Sequence, residues 1–121
     1  MELHDFYKSL IDFLETENER AWIIDLRVWY DGDLHDFQAR FETCAADLLA
    51  TSIRRHSDDP EWTWWKSLEA PEGQDPQESG VAALLPLIRL SRAAAETIVR
   101  GIAKGWTGHP EAVVPTLVHR A

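Results

Sequence analysis

The densest run of groups able to do chemistry is Asp31-Gly32-Asp33-Leu34-His35-Asp36. Three carboxylates and an imidazole this close are the oxygen and nitrogen donors that magnesium or manganese takes. Asp31, Asp33, His35 and Asp36 are therefore candidate metal ligands. The run lacks the length and spacing of a calcium-binding EF-hand loop. A second reading makes it a helix start, because acids there cap free backbone N–H groups and oppose the helix dipole. On that reading the chain needs no cofactor.

Glu2 with Asp5, and Asp33 with Asp36, form acidic pairs three residues apart on separate predicted helices. Hydrolases of nucleoside triphosphates hold magnesium through such pairs on facing helices. A metal-dependent hydrolase of a phosphorylated small molecule is thus the alternative function. Against it, Asp5 and Asp36 fall on the polar arcs of their helical wheels, facing water. His4, His35, His56, His109 and His119 show no His-x-x-x-His or Glu-x-x-His spacing, so a ferritin-like or zincin-like centre has no support. Cys44, the single cysteine, lies between apolar Phe41 and Leu48 and reads as a core thiol, not a nucleophile.

Six tryptophans are the unusual feature of the composition. Trp22, Trp29 and Trp106 sit on apolar arcs and are expected in the core. Trp62, Trp64 and Trp65 belong to a segment with no helical face of its own. Consecutive Trp64 and Trp65 cannot both point inward, so at least one is expected at the surface. Exposed tryptophan is enriched at interaction hot spots. With neighbouring Asp58, Asp59 and Glu61, the residues Trp62, Trp64 and Trp65 form the candidate partner-binding surface. The competing reading has these rings sealing one end of the molecule.

The 121 residues carry a net charge of −9, unevenly spread. Residues 1–47 hold 12 acids against 4 bases, whereas residues 79–121 hold 2 acids against 5 bases. An acidic field repels nucleic-acid phosphates and attracts basic proteins. No nucleic-acid partner is expected. The acidic start, Met1-Glu2-Leu3-His4-Asp5, is unlike a signal peptide, and no apolar run reaches membrane length. A cytoplasmic location with no membrane partner follows as the expectation.

These groups need elements to position them. Leu3, Phe6, Tyr7, Leu10, Phe13 and Leu14 share one face of a first helix over residues 3–14. Residues 22–30 read either as a helix, N-capped by Asn18 and ended at Gly32, or as a strand; the helix is preferred. Asp33 N-caps a helix running over residues 34–53. Regular patterning disappears from Ser57 to Gly80, and residues 69–79 read as a mobile polar loop. Val81 to Trp106 reads as one long helix with Leu84, Leu87, Ile88, Ile98 and Ile102 on its buried arc. Arg89, Arg92, Arg100 and Lys104 form a basic stripe on the other arc. Pro86 is expected to kink this helix or mark its true start. Gly105 or Gly108 should end it, and Pro110 should open a short final helix that Pro115 bends or breaks.

The resulting expectation is one all-α domain, an irregular bundle of four to five helices. A small α+β domain with 22–30 as a strand is the alternative. The expected function is a non-enzymatic acidic binding domain of the immunity- or inhibitor-protein kind, engaging a basic protein. A homodimer pairing the basic stripe with an acidic face is a further possibility.

Overall fold

The computed structural model describes residues 2–73 and 75–121. In chain order the elements are α1 (Leu3–Leu14), β1 (Arg20–Ile24), α2 (Leu34–Ala39), β2 (Leu48–Arg55), β3 (Val81–Ser91), α3 (Arg92–Lys104) and α4 (Pro110–Arg120). The strands form one antiparallel sheet in the order β1-β3-β2. The fold is α+β, which corrects the all-α bundle expected from periodicity. The strand alternative for 22–30 is nearer, but β1 covers only Arg20–Ile24 and the chain then leaves the sheet.

The segment read as one long helix is two elements. Val81–Ser91 is the central strand, and α3 begins only at Arg92. Ser91 makes the boundary: its side chain accepts the Ala94 N–H at 3.0 Å as an N-cap. A run of apolar residues buried on both faces is what a central strand requires, and periodicity alone does not separate it from a buried helix. The expected helix over 34–53 also divides. Only Leu34–Ala39 is helical, turns follow, and Leu48–Arg55 is an edge strand.

Pro86 lies inside the central strand, where a missing N–H is usually excluded. The register explains how it fits. Its carbonyl accepts from Asp25 N–H at 2.7 Å, one residue past the end of β1, so the absent donor falls where that pairing stops. On the other side the register jumps from Leu49↔Arg89 to Thr51↔Leu84. Ala50 thus faces four residues of β3, and the Leu85 N–H is taken instead by the Glu111 carboxylate at 3.1 Å. Side-chain alternation slips there too, since Pro86 is exposed and Leu87 half-buried between buried Leu85 and Ile88. A second irregularity in β2 places Ser52 at φ 55°, in the left-handed region.

Helices α1, α3 and α4 cover one face of the sheet. Their core joins Phe6, Leu10, Ala95, Ile98, Val113 and Leu117 to Leu85, Ile88 and Leu90 of β3. Gly101 lets α3 approach α4, because a Cβ there would sit 2.6 Å from a methyl of Leu117. Buried Thr116 stitches α4 to the sheet: its hydroxyl accepts from Val81 N–H at 3.0 Å and donates to Val81 C=O at 3.1 Å. Gly105 ends α3 at φ 118°, and Pro110 opens α4, both as the sequence indicates. Helix α4 runs through Pro115 unbroken to Arg120, so the expected break does not occur. Between β2 and β3 the described residues form short 3₁₀ turns, and Glu69 makes an isolated antiparallel bridge to Thr107. Gln74, inside the loop expected to be mobile, lies outside the described residues.

Candidate protein-binding face

The second face of the sheet is only partly covered. The register pairs Asp25 with Pro86 and Glu19 with Arg92 through direct backbone hydrogen bonds, at 2.7 and 2.8 Å. Pairing alternates along an antiparallel ladder, so Ala21 and Ile23 also bond to β3 while Arg20, Trp22 and Ile24 occupy the non-bonded positions. Ile23 packs into the helical core. Trp22 and Ile24 therefore lie on the other face. There α2 and the turns after it lean on Trp22, with the Phe37 and Phe41 rings each 6.0 Å away. Tyr30 packs on Phe37 at 5.3 Å and draws in the loop after β1.

A buried arginine holds this segment in place. Arg89, opposite Trp22 in the register, is 2% exposed. Its guanidinium donates to the carbonyls of Phe41 at 2.6 Å and Cys44 at 2.7 Å, with a longer bond to Ala46 at 3.4 Å. Arg92 similarly donates to the carbonyls of Leu14 and Thr16, and its guanidinium lies over Phe13. Of the basic stripe Arg89, Arg92, Arg100 and Lys104, Arg89 is buried and Arg92 is half-buried over Phe13, so the four do not form one continuous surface.

Between α2 and β2 the open face forms a groove of about 190 Å³, lined chiefly by Trp22, Phe37, Phe41, Leu49, Ile53 and Leu87. Ile53 is 56% exposed and Leu84 42%. In the loop after β1, Leu26 is fully exposed and Trp29 is 84% exposed. The expectation that Trp29 is a core residue is corrected: its side chain lies in solvent, although neighbouring Tyr30 packs on Phe37. Trp106 is buried as expected, whereas Trp22 is half-buried.

The acidic run lies beside this groove. Asp33 caps α2, accepting the His35 N–H at 2.9 Å. Asp31, Asp33, His35 and Asp36 are all exposed. Among the described residues, no three His, Cys, Asp or Glu side chains converge to share a metal ion. Glu2 and Asp5 belong to the helical layer while Asp33 and Asp36 belong to the segment on the opposite face, so the two acidic pairs do not meet across one site. Asp25 is engaged by Arg27 at 2.9 Å. The hydrogen bonds from the Arg27 side chain, followed by that from its backbone N–H, hold the Asp25 carboxyl well below the usual carboxylate range.

The tryptophan surface expected to bind a partner is divided. Trp65 is buried, its indole N–H donating to Asp59 C=O at 2.7 Å, and its ring packs on Gly80. Trp62 meets Trp65 edge-on at 4.9 Å and carries the Arg54 guanidinium at 4.7 Å. Asp59 pairs with that same Arg54 at 3.1 Å, and Asp58 accepts the Arg55 N–H. These contacts tie the end of β2 to the start of β3. Trp64 and Glu61 remain exposed, and Trp64 stacks on His109 at 4.7 Å. His109 itself caps α4, with Nδ1 accepting the Glu111 N–H at 3.1 Å. Cys44 is half-buried, its carbonyl held by Arg89.

The open-face residues Leu49, Ile53, Leu84 and Leu87 were missed because they were assigned to helical arcs. Their signal was present: Thr51-Ser52-Ile53 is richer in strand formers than a helix interior requires. No helix among the described residues is long and apolar enough to cross a membrane. No protein-family model, no curated protein and no solved structure matches this chain.

Proposed function

We propose that this protein is a non-enzymatic binding domain, of the immunity or inhibitor kind, whose open sheet face receives a basic protein. The observation that carries the reading is an apolar groove left uncovered beside a strongly acidic segment. Residues 21–47, which supply β1 and α2, hold six acids against Arg27 and Arg40. Arg27 is already paired with Asp25. A second copy of the chain would bring a like-charged rim against this one, at an electrostatic cost. A partner with cations around an apolar centre meets both features: charge speeds encounter and buried aromatic and aliphatic groups hold the complex.

The test is capture from native lysate on the immobilised chain, with a Trp29→Ser/Ile53→Ser variant alongside. Both side chains are more than half exposed, so the variant should melt as the wild type does. A basic protein retained by the wild type and lost by the variant supports the reading. Equal retention by both, or no retained protein, overturns it.

A further inference from the structure

The two edges of the sheet are not equivalent. Edge β2 is disarmed by two register breaks and by Ser52 in the left-handed region, devices that keep another strand from pairing. Edge β1 has neither. Its register with β3 is continuous from Arg20↔Ser91 to Ile24↔Leu87. The parity of that ladder aims the N–H and C=O groups of Arg20, Trp22 and Ile24 away from β3. Among the described residues none of these backbone groups has a hydrogen-bond partner.

The surroundings of this edge are chemically one-sided. The chain entering β1 carries Glu15, Glu17 and Glu19, and the chain leaving it carries Asp31, Asp33 and Asp36, all exposed. On the open face the edge displays Trp22 and Ile24. An extended segment laid beside β1 would find unpaired amides, an apolar row under alternate side chains, and acids in the chain that enters the strand and in the segment that folds back over it.

We infer that β1 takes up an extended segment of the basic partner, apolar at alternate positions and flanked by lysine or arginine, as a fourth strand. This rests on the binding reading above and specifies how that partner engages. Main-chain hydrogen bonds supply the pairing, the Trp22–Ile24 row selects alternate apolar side chains, and the acidic flanks select cationic ends. Five residues make a short ladder, so the partner must also cover the groove.

The experiment is amide-resolved hydrogen exchange by NMR on the full chain, titrated with a short synthetic peptide of alternating valine and threonine flanked by lysines. Two control peptides carry glutamate flanks or N-methyl groups on alternate amides. The lysine peptide should slow exchange at the Trp22 and Ile24 amides by about tenfold, while Ala21 and Ile23, already in the ladder, change little. Neither control should do so. Absence of binding, or binding that leaves Trp22 and Ile24 exchanging freely, overturns the edge. If a captured basic protein shields Ile53 and Leu87 but not those two amides, the edge assignment fails while the binding face stands. If the wild type captures nothing, the binding reading itself fails.

Discussion

Two polar side chains, one interior and one near the surface, show how single residues fix this molecule. The Thr116 hydroxyl is enclosed and satisfies both backbone groups of Val81, where the central strand begins. Thr116→Val keeps the volume and orphans a buried donor and acceptor. A stability loss of about 2 kcal/mol is expected in urea unfolding. Asp25 acts in the opposite setting, at the end of β1, where Arg27 lowers its carboxyl pKa. A depressed folded-state pKa contributes stability that is complete above the unfolded value and is lost as pH falls. The unfolded carboxyl titrates near 3.8, so the margin of wild type over Asp25→Asn should be constant near neutrality and shrink as pH falls below that value. Thermal melts of both proteins across acid pH check this. Residue-level signals of this local kind were legible in the sequence: Asp33 as a cap, Gly105 as a left-handed stop and Pro110 as a helix opening depend only on near neighbours.

At the scale of elements, local rules and tertiary pairing disagree. The run Val81-Ala82-Ala83-Leu84-Leu85 is rich in good helix formers, and α3 beyond it is amphipathic, so one continuous wheel fits both. Burial on both faces between β1 and β2 overrides that propensity, and no window of sequence contains both neighbours. Pro86 was the local objection to a continuous helix. Proline costs a helix interior about 3 kcal/mol, whereas here it sits where both ladders are already interrupted. Arg89 shows the same dependence on distant partners. On a wheel it is one more exposed cation, yet the carbonyls it serves lie more than forty residues away. Arg89→Met should cost roughly 3 kcal/mol and release α2 from Trp22, seen as a lost near-ultraviolet circular dichroism signal. Arg89→Lys should recover only part, because an ammonium lacks the planar fork that reaches separate carbonyls. Unchanged stability in the methionine variant would show that the aromatic contacts alone hold α2.

For the whole molecule, the helices complete a core on one side and leave the other side of the sheet unfinished. Arg89 is withdrawn inside, so the water-facing surface is more acidic than the formal charge of −9 suggests. The charge asymmetry and a surface tryptophan were readable from composition and spacing. Their combination with an apolar sheet face was not, because that face exists only once β1, β2 and β3 are assembled. A domain of this design should meet its partner through long-range attraction and keep it through the groove. The decisive measurement is the association rate with the captured basic protein as ionic strength is raised. That rate should fall by about tenfold or more while the dissociation rate changes little. An association rate indifferent to salt would contradict it.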